Sequence, residues 1–315
     1  MIESGDMNKT ITVIIPTYNA EKHIVSLLKN LKKQTVQFEL IIIDSSSTDD
    51  TVTKAKVYTN KIVSIPKNKF DHGGTRTKAA KMASGDIIVF LTQDALPCNH
   101  QTIEKILESF QDSTVAASYG KQIPYNDTSF FGKHLRIFNY PHTSHKRVLA
   151  DKEHYGIKTA FLSDSFAAYR KSTLQDIGWF KNGLIMGEDV HTGSKLILAN
   201  HTLAYCADAK VYHSHSYSII QELKRYFDIG VFHAKEKWIL KTFGKAEGEG
   251  GKYIKSEFNY LLKHHAYYRI PEFFIRNGMK YLGYKLGQNY KHLPLKIIKS
   301  LSMNSSWWEN IIESK

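Results

Sequence analysis

Three short apolar runs in the first hundred residues each stop on a polar cluster: ITVIIPTYN (11–19), LIIIDSSSTDD (40–50) and IIVFLTQD (87–94). Runs this short and this rich in β-branched residues suit strands buried on both faces, and KIVSIP (61–66) has the same character. After the first run, EKHIVSLLKNLKKQ puts Ile24, Leu27, Leu28 and Leu31 at helical spacing. HGGTRTKAAKMASGD reads as a glycine turn leading into an Ala- and Lys-rich helix. Strands alternating with helices predict an α/β fold on a mainly parallel, Rossmann-like sheet covered on both faces. Ligands of such sheets bind beyond the carboxyl ends of the strands. Here those ends carry Pro16 to Asn19, Asp44 to Asp50, and Thr92-Gln93-Asp94. Turn chemistry explains any one of these; three on the same side make a site.

At 315 residues, with 42% hydrophobic and 23% charged residues, the chain is long and apolar enough for a sizeable core. Cys98 and Cys206 form no metal or redox motif, which suits a reducing compartment. The opening MIESGDMNKT lacks a signal-peptide profile, and no apolar run approaches the roughly 18 residues of a membrane span. The expected location is the cytoplasm, with room for peripheral attachment to the inner face of the plasma membrane. The net charge is +13, and residues 216–315 hold 17 Lys and Arg against 9 Asp and Glu. Such a surface attracts nucleic acid, anionic lipid or phosphorylated substrates alike. The strand-end rim is acidic, however, so nucleic acid is not the expected partner. Neither G-x-G-x-x-G after the first strand nor G-x-x-x-x-G-K-[ST] occurs, so dinucleotide and P-loop sites are not indicated.

TVIIPTYNAEKHIVSLLKNLKKQT, LIIIDSSSTDDT and SGDIIVFLTQDA, in this order, resemble the inverting family 2 glycosyltransferases, whose fold is the GT-A nucleotide-diphospho-sugar transferase fold. FDHGGTRTKAA and TQDA look most like the bacterial rhamnosyltransferase branch, and the resemblance covers roughly residues 10 to 240. It implies a pyrimidine-diphosphate-sugar donor, with Thr17, Tyr18 and Asn19 lining the nucleoside pocket and Asp44 accepting from the base. Asp49 fits the same rim or a helix cap. Gly73, Gly74 and Arg76 map onto the turn that approaches the donor, where Arg76 would pair with phosphate or with acids. The family's Asp-x-Asp triplet is here Thr92-Gln93-Asp94, so Asp94 alone matches the acid that touches a divalent cation, Mn²⁺ or Mg²⁺. In VYHSHS, His213 and His215 alternate on what reads as a strand, and the resemblance favours His213 as a second ligand.

By the same resemblance Gly187-Glu188-Asp189 opens the base-bearing helix, whose face is Val190, Gly193, Leu196 and Ile197. Asp189 is expected to be the base, Glu188 to support it, and Asp164 to meet the sugar or acceptor. A surface polysaccharide or a lipid-diphosphate-linked glycan would be the acceptor, and dTDP-rhamnose the narrower donor guess. Another UDP- or dTDP-hexose, or a non-catalytic scaffold, fits the same motifs. The expected division is 1–240 for the catalytic domain, donor half about 10–120 and acceptor half about 121–240. Residues 241–315 form a basic, aromatic-rich helical extension. Its Tyr281, Tyr284, Trp307 and Trp308, set among lysines, suit either an anionic membrane surface or packing on the domain or a sister subunit.

Overall fold

The computed structural model describes residues 9–244 and 246–313. Nine strands among them form one sheet: β1 (Ile11–Thr17), β2 (Glu39–Asp44), β3 (Ile62–Ser64), β4 (Ile87–Leu91), β5 (Leu96–Pro97), β6 (Val115–Ile123), β7 (His145–Arg147), β8 (Phe166–Arg170) and β9 (Thr202–Tyr212). The order across it is β3-β2-β1-β4-β8-β6-β9-β5, with β7 also on β9. β1 to β4 pair in parallel, as their unbroken apolar sequences require. Pleating sends Val13 and Ile15 into one core with Leu27 and Leu28, and Ile14 into another with Phe90 and Ala79.

The second half of the sheet is mixed, which the sequence does not announce. β8 runs antiparallel between β4 and β6, so its first residue, Phe166, pairs with the last of β4, Leu91. That reversal brings Asp164, two residues ahead of β8, to the rim where β4 ends. β9 pairs with β6 in parallel and with β5 antiparallel, Tyr212 standing opposite both Ile123 and Leu96. The chain leaving β9 therefore passes Asp94.

Elements on the two sides of residue 240 pack together. Helix Ile219–Lys235 lies against helix Ile270–Gln288 so closely that a Cβ on Gly287 would sit 2.0 Å from the Phe227 carbonyl oxygen. Ile298 and Trp308 belong to the same core as Ile14 and Phe90. Trp308 is 5% exposed and Tyr284 7%, the latter bonded through its hydroxyl to His233 Nδ1 at 3.0 Å. Of the two alternatives left open for these rings, Trp308 and Tyr284 follow packing on the domain and not exposure to a membrane surface. Tyr281, at 61%, does face outward.

Candidate active site

The ends of β1 and β2 are held level by their register, Thr17 opposite Asp44. Asp44 is 1% exposed and accepts from Thr17 Oγ1 at 2.9 Å, from the Ser47 amide at 2.8 Å and from Ser47 Oγ at 2.6 Å. Three of its roughly four acceptor positions are thus used within the protein. Asn19 takes a left-handed backbone, φ 48°, and its side-chain oxygen accepts from the Thr48 amide at 2.9 Å. Tyr18 is 37% exposed, and its hydroxyl accepts from Lys67 Nζ at 2.6 Å. Asp49 ties helix ends together, accepting from the Thr51 and Glu21 amides, each at 3.1 Å. Gln93, the middle residue of the triplet, clamps β1 to β4: its side chain accepts from the Tyr18 amide at 2.8 Å and donates to the Tyr18 carbonyl at 3.2 Å.

Asp94 meets His213 and His215, and one ligand atom from each of the three lies within 4.8 Å of the others. Asp94 Oδ2 is 3.5 Å from His213 Nε2 and 4.0 Å from His215 Nε2. Both histidines lie just past the end of β9 rather than on a strand, and the loop, not strand alternation, turns them to one side. His213 Nδ1 is 2.8 Å from Gln122 Oε1, while Gln122 Nε2 donates to Ser163 Oγ. Gln122 therefore presents its oxygen to His213 Nδ1, which turns the other ring nitrogen, Nε2, toward Asp94. One carboxylate with two imidazoles is a donor set that fits a divalent cation, and the nitrogens favour Mn²⁺ over Mg²⁺.

The other acids gather on one arginine. His72 to Met82 is a single helix whose first turn contains Gly73 and Gly74, so the expected glycine turn is already helical. Gly73 serves packing, since a Cβ there would lie 2.0 Å from the Lys181 carbonyl oxygen. The Gly74 amide donates to Asp71 at the helix start, at 2.6 Å. One turn on, the buried Arg76 places Nε 2.9 Å from Asp164 and an Nη 2.9 Å from Glu188. Tyr169 donates to Asp164 at 2.5 Å, and the Asp164 amide is 3.4 Å from Asp189 Oδ2.

Burial raises the Asp189 carboxyl, and the neighbouring Glu188 and Asp164 add to it, for a pKa of about 8. Asp164 is raised to about 6 by burial, with Arg76 opposing. Burial acts most strongly on Glu188, but Arg76, His72 and the backbone amides at the helix start together outweigh it and hold this acid below its ordinary range. Glu188 is thus the charged anchor, while Asp189 is a carboxylate with unusual proton affinity, close to what a base working near neutral pH needs.

The expected residues therefore form three groups: Thr17, Tyr18, Asn19 and Asp44 at the parallel rim; Asp94 with His213; Gly74 and Arg76 with Asp164, Glu188 and Asp189. His215 joins the second group. Gln93, Gln122 and Asp71 were not anticipated. Glutamine carries no motif, and the role of Asp71, whose Oδ2 also accepts from the Gly183 amide at 2.9 Å, depends on a segment 112 residues away.

Residues 12–178 match the glycosyl transferase family 2 model. The chain is 45% identical over 305 residues to the O-antigen chain rhamnosyltransferase WbaN of Salmonella anatum, covering 96% of each. Among solved structures it resembles the mannosyltransferase PcManGT from Pyrobaculum calidifontis in complex with GDP-Man and Mn²⁺ (TM-score 0.58, 18% identity, 98% of this chain and 88% of that one). It is similar to TarS 1–349 of S. aureus in complex with UDP-GlcNAc to the same degree (TM-score 0.58, 20% identity, 97% and 92%). The sheet with its carboxylate rim, the gathered acids and these likenesses agree: the chain belongs to glycosyl transferase family 2 and is a glycosyltransferase with the GT-A fold.

Proposed function

We propose that this enzyme transfers rhamnose from dTDP-rhamnose, with inversion, onto a surface polysaccharide or a lipid-diphosphate-linked glycan. The observation that carries the reading is the gathering of acids around Asp189, whose Oδ2 lies 3.4 Å from the Asp164 amide and next to Glu188, itself 2.9 Å from Arg76. Asp189 takes the proton of the acceptor hydroxyl as that oxygen attacks the anomeric carbon and the nucleoside diphosphate leaves from the opposite face. Glu188 stays ionised against Arg76 and keeps the proton affinity of Asp189 high. Asp164 approaches the sugar or acceptor. A divalent cation, Mn²⁺ or Mg²⁺, held by Asp94, His213 and His215 would supply positive charge for the departing diphosphate. Thr17 to Asn19 receive the nucleoside, with the Tyr18 ring against the pyrimidine and the last acceptor position of Asp44 for its imide N–H. The sugar and the acceptor class rest on likeness to a full-length relative named an O-antigen chain rhamnosyltransferase.

The test is transfer by the purified enzyme with dTDP-rhamnose against UDP- and GDP-hexoses, with Mn²⁺, Mg²⁺ or chelator. Turnover with dTDP-rhamnose that stops on chelation is expected. Turnover with another hexose alone would replace the donor, and nucleotide binding without turnover of any sugar would favour a scaffold.

No helix among the described residues is long and apolar enough to cross a membrane. Tyr268, Phe274, Ile275 and Tyr281, all more than half exposed, mark one side of the helix Ile270–Gln288 and its approach. With the basic excess of this region they support docking on the anionic inner face of the plasma membrane. Flotation with anionic vesicles should be lost in a Phe274→Ser/Ile275→Ser variant; retention with both residues changed would assign the face to a sister subunit or to solvent.

A further inference from the structure

Of the seven arginines, five give their guanidinium to oxygen atoms of the protein. Arg76 pairs with Asp164 and Glu188, Arg269 with Glu272, and Arg276 with Glu222 and Glu272. Arg147 donates to the carbonyls of Lys158 and Phe161, and Arg170 to that of Val115. Arg136 and Arg225 have no ion pair or side-chain hydrogen bond among the described residues. The Nε of Arg136 is buried without a partner. A guanidinium does not shed its proton near neutral pH, so these two charges persist.

They come from different helices, Phe130–Asn139 and Ile219–Lys235. The Arg225 guanidinium lies over the Tyr217 ring, 5.5 Å from its centroid, and that ring is 5.3 Å from His215. His215 is in turn 4.7 Å from His213. Arg136 feels the charges of Asp94 and Arg225, and both arginines act on His215. On the other side Arg225 acts on His72, the neighbour of Glu188, and both arginines and Asp189 act on Tyr140. The pair thus stands between the Asp94 trio and the acids around Arg76. Burial lowers the proton affinity of Arg136 and Arg225 adds to it, while Tyr140, Tyr217 and the more distant charge of Asp94 oppose them. Holding like charges together in a partly dry space is unfavourable, and an arriving anion relieves it.

We propose that Arg136 and Arg225 form an anion site for the diphosphate of a substrate, beside the residues that fit a cation. The paired forks of two guanidinium groups match the oxygens of a diphosphate. This rests on the reading of the centre as a nucleotide-sugar transferase, whose donor and whose lipid-linked acceptor both carry that group. The adjoining Asp94 trio makes the donor the expected source.

Calorimetry with Mn²⁺ present separates the cases, using dTDP, thymidine and inorganic pyrophosphate against wild type and the Arg136→Gln/Arg225→Gln double variant. Expected is a loss of dTDP and pyrophosphate affinity of roughly 10-fold per arginine, with thymidine affinity unchanged. Arg→Lys at both positions should recover part of it, because charge returns without the fork. The melting temperature of the double variant should hold or rise, since a repulsion is removed. If dTDP binding is unaffected while the KM for a diphosphate-linked acceptor rises and that for a diphosphate-free glycan does not, the anion site stands with the acceptor as its source. Unchanged binding of all phosphate ligands together with an unchanged KM overturns the proposal, as does an equal loss for thymidine and dTDP. Pyrophosphate needs no nucleoside pocket, so its loss would support the arginine pair even if no sugar nucleotide were turned over.

Discussion

At the ends of β1 and β2 one carboxylate, Asp44, receives three hydrogen bonds; across the rim Asp164 and Glu188 share the one guanidinium of Arg76, and Asp189 beside them has no cation in contact among the described residues. Both groups are largely withdrawn from water, so the difference lies in supply. The first has donors enough to keep its acid satisfied and its loops fixed, which suits a surface that must keep one shape. The second is short of positive charge. Burial, with neighbouring acids adding to it, raises the proton affinity to about 8 at Asp189 and about 6 at Asp164. On the proposed reading of Asp189 as base, the site must accept a proton and cannot have all its acids neutralised in advance.

The sharpest way to break this contrast is Asp189→Asn. Turnover should fall by about 10³-fold, within the range for loss of a general base, while calorimetric dTDP affinity stays within about twofold. An acid whose folded pKa is raised favours the folded state while protonated, and that advantage is lost as pH climbs from the ordinary carboxylate range through about 8. The variant should therefore melt at or above the wild-type temperature in alkaline buffer, the gap closing toward pH 4 or so. A variant that melts lower at every pH would make Asp189 structural.

Arg76→Met leaves two buried acids without their cation and should cost about 3 to 5 kcal/mol of stability by denaturant unfolding. In wild type, kcat/KM should rise with pH along a limb near 8, where Asp189 loses its proton. Removing Arg76 should move that limb to higher pH, since the positive charge helps hold Asp189 ionised. A limb that stays put would detach the two residues.

Gln122→Leu removes the oxygen that fixes the His213 ring and should weaken Mn²⁺ binding by about 10-fold, read by calorimetry without nucleotide. Unchanged Mn²⁺ affinity would remove Gln122 from the cation site. The smallest effect belongs to the satisfied half of the rim. Thr17→Val deletes one of three donors to Asp44 and should cost about 1 kcal/mol, with no change in the pH–rate profile. A moved limb would show that the two carboxylate groups are electrically coupled and would end the comparison.

The sequence by itself determined the parallel half. β1 to β4 are dry on both faces, so their composition is nearly continuous in Ile, Val and Leu, and each must end where the chain meets water. Thr17, Asp44 and Asp94 were legible because they sit at those ends. Asp164, Glu188 and His213 were reached through resemblance to a family. No spacing in the chain relates 94 to 213, or 76 to 188. Those meetings were decided by the antiparallel β8, which returns Asp164 to the rim, and by β9, whose exit passes Asp94. The same holds for Trp308 and Tyr284: their basic neighbours left a membrane surface and packing on the domain both open, and helices packed from far along the chain bury them. Local periodicity reports how a segment meets its own two faces. Which charges lack an ion pair among the described residues, as Arg136 and Arg225 do, is a property of the whole neighbourhood, and it exists only once distant segments have closed around it.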